Sequence, residues 1–320
     1  MVPDYVSYPK RFLPYRWFKP LLTILLASAF WGTFQIASIL LLSYASVFSQ
    51  ILTGNRLSTS ELLWRSGESD NLYFSVPGAI MTFGSVATAI VAVLIANRII
   101  NARPFSSYSS SRGGFSFTVF LKSFGAAIIL FALPLVLISL FTEPKTGNIK
   151  FTVASFLVLT VLCPLQCAGE EYFFRGLLMQ SFGSWIKFPI FPILIQAIIF
   201  GLMHIQYNVI GMITILISGI ILGLCAFFTK GLEASCALHI ANNLVSFYLV
   251  GFGIGAIESD VTILSMVITG GFQLLYLAFI IFATKKLGWF SKIKKDDVAV
   301  FNAKIEARRA QNTEVQPTNN

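Results

Sequence analysis

The sequence predicts an all-α fold, a polytopic membrane bundle of about eight transmembrane helices. Three observations carry that prediction. Of the 320 residues 56% are hydrophobic and 12% charged, with mean hydropathy +0.76; soluble domains carry about 25% charged residues. The apolar residues gather into long runs, and about 20 apolar residues span a bilayer. Phenylalanine alone contributes 31 residues, which suits lipid-facing surface.

Residues 1–19 read as a cytoplasmic segment carrying Lys10, Arg11, Arg16 and Lys19. They are too polar and aromatic for the apolar core of a cleavable signal, and the run that follows is too long for one. Residues 20–141 hold three predicted helices: Pro20–Phe48, Val76–Ala96 and Ser123–Phe141, the last kinked at Pro134. Between them lie a polar loop from Ser49 to Ser75 and a Ser/Gly-rich loop from Asn97 to Phe117. The first carries Arg56 and Arg65 against Glu61, Glu68 and Asp70; the second carries Arg98, Arg103 and Arg112, with Lys122 just beyond.

After a short turn with Glu143, Pro144 and Gly147, residues 151–254 supply helices four to seven, read as the catalytic core. Their predicted ranges are Phe151–Ser181, Phe188–His204, Val209–Phe228 and Leu232–Ile254. The eighth helix is residues 261–283. The tail, 284–320, starts basic, turns polar, and is expected to be disordered from Asn312.

Eight spans put both termini on one side, and the charge distribution picks the side. The basic N-terminus, the Arg98–Arg112 loop, Lys187, Lys230 and the basic tail fall together. The opposite set holds Arg56, Arg65, Lys145, Lys150 and the acidic Glu258-Ser259-Asp260 turn. The positive-inside rule therefore predicts a multi-pass protein of the cell membrane with cytoplasmic termini. The net charge of +9 is spread over loops and ends, so it implies anionic lipid headgroups as partners and not nucleic acid. Cys163, Cys167, Cys225 and Cys236 all lie in apolar stretches and form no C-x-x-C pair, so no disulfide framework is expected. Cys163 and Cys167, four apart, suit small apolar packing better than a thiolate metal site.

The polar residues inside these helices are the informative ones, because a charge near mid-bilayer costs about 3 kcal/mol or more. The stretch from Gly169 to Gly176 contains Glu170, Glu171 and Arg175. Glu171 and Arg175, four apart, share a helix face in the favourable order of charge. Arg175 is thus expected to neutralise Glu171, which leaves Glu170 free to work. The two histidines of the chain, His204 and His239, both fall within predicted helices. Counted from a hairpin near Trp185, Glu170 and His204 lie within about one turn of the same depth, at ~1.5 Å per residue. Phe200 is four before His204, and Asn243 is four after His239. The same counting leaves His239 nearer the inner end of its helix than His204 is to its own.

These groups suit amide hydrolysis. A glutamate and a histidine can deprotonate water, and a second histidine with an asparagine can donate to the oxyanion. Alternatively Glu170, His204 and His239 could ligate zinc with water in the open position. No G-x-S-x-G or H-E-x-x-H pattern occurs. Glu170-Glu171-x-x-x-Arg175, Phe200-x-x-x-His204 and His239-x-x-x-Asn243, in that order and spacing, resemble the three motifs of the CPBP family, the CAAX-protease and bacteriocin-processing (Abi) intramembrane endopeptidases. The resemblance covers about residues 151–250, and no motif position departs from the pattern.

It implies an eight-helix glutamic endopeptidase with a site open to the cytoplasm and the membrane core. It implies that Glu170 and His204 activate water while His239 and Asn243 stabilise the oxyanion. It implies no obligate cofactor, with zinc as a variant, and a peptide or membrane-protein substrate. Two other readings compete: a catalytically silent immunity or peptide-binding protein of the same fold, and a proton-coupled transporter. The absence of acids from the first three helices counts against the transporter.

Overall fold

The computed structural model describes residues 4–53, 73–255 and 261–314. Among these the secondary structure is helical, with two isolated bridges, Ser110 to Gly231 and Lys145 to Ile254. Nine long helices follow in chain order. They are α1 (Phe18–Thr53), α2 (Val76–Ile100), α3 (Phe117–Thr142), α4 (Val153–Trp185) and α5 (Ile190–Leu202). After them come α6 (Val209–Thr229), α7 (Glu233–Gly251), α8 (Ile263–Lys285) and α9 (Asp297–Glu314).

Six of these, α1 to α4, α6 and α8, are long and apolar enough to cross a membrane. Helix α5 has only 13 residues. Helix α7 is long enough, but it carries Glu233, His239, Asn242 and Asn243. The chain is a multi-pass membrane protein. Leu25, Leu40 and Leu41 of α1 and Val161 of α4 stand exposed, as lipid-facing side chains should.

Several boundaries shift from those expected. Helix α3 begins at Phe117, six residues before Ser123, so Lys122 lies inside it. A π-helical stretch, Ile128–Ala132, ends two residues before Pro134. Proline lacks the amide that would bond one turn back, and the wider turn absorbs the defect. Helix α5 stops at Leu202, which leaves His204 in the turn that follows. The tail carries a helix, α9, that reaches Glu314, past the Asn312 from which disorder was expected; residues 315–320 lie outside the described residues. Most of the Ser49–Ser75 loop and all of the Glu258–Asp260 turn lie outside the described residues.

The largest departure is the Asn97–Phe117 loop. Arg98 is exposed, but Arg103 and Arg112 are buried, as are Ser107, Ser109, Ser110 and Ser111. They pack with the N-terminal segment, the end of α4, the α6–α7 corner and the start of α9 into a polar cap on one end of the bundle. Arg112 Nη2 meets Glu233 at 2.6 Å, and Glu233 also accepts the Ser116 amide at 2.9 Å. Arg103 bonds Gln180, donates to the Gly176 carbonyl at 3.3 Å and covers the Tyr108 ring at 3.6 Å. Lys230 meets Asp4 at 3.3 Å, Ser106 bonds Asp297 at 2.6 Å, and Phe12 packs edge-on against Phe301. The segments that the charge pattern grouped on one side therefore assemble as one body. At the other end the 142–150 turn pairs with residues after α7, through Thr146 N–H to Gly253 O at 2.9 Å and Lys150 N–H to Gly251 O at 2.9 Å.

Candidate active site

Helix α4 overshoots its neighbours, and that sets the depth of the site. Its last turns are embedded in the cap: a Cβ on Gly183 would overlap the Val6 carbonyl oxygen. Helix α7 starts lower, because a Cβ on Gly176 would meet Leu232 at 3.6 Å and the Tyr108 carbonyl at 3.1 Å. Counting from Gly176 and Leu232 instead of from the α4 terminus brings Glu171 and His239 to one level. That resolves the mismatch in depth left by the sequence.

The pairing of the antiparallel α4 and α7 is regular below that level. His239 Nδ1 lies 2.9 Å from Glu171 Oε1, Asn243 donates to Gln166 Oε1 at 3.2 Å, and Thr160 meets the Tyr248 hydroxyl at 2.9 Å. Each turn down α7 meets a turn further back along α4. Gly169 lets α2 approach, since a Cβ there would lie 3.0 Å from the Val86 carbonyl. A π-helical stretch, Tyr172–Met179, follows the two glutamates directly; such stretches often mark functional positions.

The two glutamates differ sharply. Glu171 and Arg175 are fully buried and pair at 2.8 Å, as the four-residue spacing predicted. Arg175 also donates to the Gly219 carbonyl at 3.3 Å and stacks its cation 4.6 Å from the Phe200 ring centre. Glu170 has one neighbouring cationic candidate, His239 Nε2 at 3.4 Å, and its Oε2 makes no hydrogen bond.

Both histidine tautomers are set by their neighbours. His239 Nδ1 faces Glu171, a carboxylate engaged by Arg175, which can only accept, so Nδ1 carries a proton. His204 Nδ1 lies 2.7 Å from the Phe200 carbonyl, another acceptor. In each ring Nε2 is the nitrogen left for other partners.

Glu170 and His204 line one cavity of about 180 Å³, together with Trp31, Gln35, Val86, Phe174, Met203 and Gln206. His239 and Asn243 are not among its lining residues. His239 meets the cavity through Glu170, whose Oε2 lies 3.4 Å from its Nε2. His239 turns toward the glutamates, which are stronger acceptors. Asn243 is held by Gln166 and by Asn242, whose amide donates to it at 3.1 Å.

Among the described residues no three His, Cys, Asp or Glu side chains gather as metal ligands. The four cysteines are free and buried, and Cys167 donates to Gln166 at 3.4 Å.

Sequence reasoning missed Gln166, Trp31 and Gln35. Gln166 had a signal, since it stands one turn before Glu170 on the same face. Trp31 and Gln35 sit in α1, which no motif reached.

Comparison with known proteins agrees with the motif reading. Residues 152–245 match the family model described as "Type II CAAX prenyl endopeptidase Rce1-like". The resemblance read from Glu170 to Asn243 is therefore shown over the segment that carries α4 to most of α7. More particularly, the chain is 32% identical over 168 residues to the uncharacterized protein YyaK of Bacillus subtilis (strain 168). That alignment covers 49% of this chain and 56% of the relative, so the chain spans little more than half of the length of that protein. No solved structure matches the chain.

Proposed function

We propose that this protein is a CAAX-protease-like intramembrane endopeptidase of glutamic type. One observation carries the proposal: Glu170 and His204, a carboxylate and an imidazole, line one cavity. Glu170 takes a proton from a water held between it and His204, and the water oxygen bonds to the peptide carbonyl carbon. Electrons of the carbonyl double bond move onto its oxygen. When they return, the C–N bond breaks, and the proton passes from the Glu170–His204 pair to the departing amine. The products are a carboxylate and an amine.

Glu171 and Arg175 act through His239. They fix its ring, and its Nε2 faces Glu170 and tunes that carboxylate. The substrate is a peptide or membrane protein reached from the cytoplasmic side, where the positive-inside rule puts the cap, with anionic headgroups around it.

The competing reading is a silent immunity or peptide-binding protein of the same fold. Glu170→Gln separates the two in a membrane-proteome comparison of wild-type and variant cells. A fragment present with wild type and absent with the variant supports the peptidase, and identical fragments in both overturn it. Elemental analysis of purified protein tests the zinc variant: metal at one equivalent per chain would replace the glutamic mechanism.

A further inference from the structure

Arg103 is 4% exposed, yet among the described residues no carboxylate pairs with it. Its guanidinium bonds neutral groups, the Gln180 amide oxygen and the Gly176 carbonyl at 3.3 Å, and lies 3.6 Å from the Tyr108 ring centre. The ring face offsets part of the charge. A buried cation otherwise calls for an opposite charge, because neutral partners do not replace its lost hydration. The acids of the cap are engaged elsewhere. Glu233 holds Arg112, and Asp4 holds Lys230. Asp296 accepts the Ala299 amide at 3.0 Å, and Asp297 is bonded to Ser106 and lies 3.9 Å from Lys295.

Arg103 also lines a cleft between the N-terminal segment, the start of α1 and α4. Arg16 and Lys19 line it too, and no acidic side chain is on its wall. The first turn of α1 adds the positive end of a 36-residue helix. The inner space is about 20 Å³, room for one oxygen-sized group, so a bulkier anion seats in the mouth and reaches one oxygen inward. Depth points to the kind of anion. Trp17 and Phe18, at the start of α1, are 65% and 41% exposed, and such aromatics mark the headgroup level of a bilayer. Basic pockets between helices at the cytoplasmic face bind phosphate-bearing headgroups.

We propose that this cleft is a binding site for one anionic phospholipid, with the headgroup phosphate among Arg16, Lys19 and Arg103. The lipid ties the N-terminal segment to the Asn97–Phe117 loop and to α4 at Leu177. It reinforces the attachment that the Tyr15 hydroxyl makes to Ser184 at 3.0 Å. Helix α1 also carries Trp31 and Gln35 of the cavity that holds Glu170 and His204, so the lipid steadies that wall. Binding at this place is independent of whether the chain cuts peptides.

The test is made on the full chain in a neutral detergent. Melting is followed through the buried cysteines with a thiol-reactive fluorophore. Phosphatidylglycerol at a hundredfold excess over its Kd should raise the melting point by at least about 5 °C. Phosphatidylcholine, which has the phosphate but no net charge, should not, and an equal rise with it overturns the proposal. Inorganic phosphate without lipid should leave the melting point unchanged, and the same rise with phosphate alone overturns the lipid as occupant. Arg16→Gln with Lys19→Gln should remove the rise. Lys285→Gln with Lys286→Gln, exposed lysines at the end of α8, should keep it. A rise retained without Arg16 and Lys19, or lost equally in both double variants, overturns the site.

Native mass spectrometry counts the bound lipid. One phosphatidylglycerol should stay with each wild-type chain and none with the Arg16→Gln, Lys19→Gln chain. A wild-type chain that retains none overturns the proposal. Neither measurement reads cleavage, so failure here leaves the peptidase reading standing, and loss of that reading leaves the lipid site standing.

Discussion

Glu170 and Glu171 are adjacent in the chain, yet their replacement by glutamine should produce different losses. Glu171 has no exposure, and a single oxygen accepts from Arg175 at 2.8 Å and from His239 at 2.9 Å. Glu171→Gln keeps the shape but removes the charge, and it strands a fully buried guanidinium. Breaking one side of a buried ion pair costs about 3–5 kcal/mol. For a chain of this size that is a melting-point drop of at least about 6 °C, taking 2–4 °C per kcal/mol. Glu170→Gln removes a carboxylate that has one 3.4 Å neighbour and an oxygen without a hydrogen bond, so the melting point should hold within about 2 °C. The protein provides its own assay. All four cysteines are buried and free, so a thiol-reactive fluorophore reports unfolding in detergent. Proteolysis should be lost in both variants. Equal melting points for wild type and Glu171→Gln would refute the buried-pair argument, and so would a Glu170→Gln drop as large as that of Glu171→Gln.

The cap carries two further predictions. Glu233→Ala should lower the melting point as much as Glu171→Gln does, because it strands buried Arg112 and takes the acceptor from the Ser116 amide. Arg112→Met with Glu233→Leu should recover part of the loss in the same thiol assay, and a double variant with the full summed loss would contradict this. Asp4 is pushed up by burial but drawn further down by its hydrogen bonds to the Ser7 hydroxyl and amide and by Lys230, so its carboxyl titrates below the usual range. A lowered folded value means a contribution present above the unfolded value of about 3.9 and lost as pH falls through the folded one. Pepsin should therefore release the N-terminal segment below about pH 4 in wild type, while Asp4→Asn should show no such step in this range.

The sequence made the helices legible because a bilayer demands long apolar runs; all eight expected helices are present, six of them long and apolar enough to cross a membrane. It made the Glu171–Arg175 pair legible because four residues along a helix is a local distance. It hid the cap. Arg103 and Arg112 look like ordinary loop charges, and only long-range partners, Gln180 and Glu233, reveal that both are buried. It did not reveal α9 either, since that helix has a polar composition and is held by contacts from the other end of the chain, such as Asn302 with the Arg11 carbonyl at 3.1 Å. Trp31 and Gln35 were invisible because nothing in α1 has a spacing that relates it to α4.

The depth of the site follows from the same long-range packing. Helix spacing alone put His239 too near the cap, because it assumed that α4 and α7 start level. The small side of Gly176 lets Leu232 and Tyr108 close onto α4 well before its end, and the remaining turns of α4 become part of the cap instead of the membrane span. Lowering α7 by those turns is what lets His239 reach Glu171. The ion pair with Arg175 then keeps Glu171 an acceptor, the acceptor fixes a His239 proton on Nδ1, and His239 Nε2 is left facing Glu170. A bulky residue at position 176 would therefore act on Glu170 without touching it, through the height of a neighbouring helix.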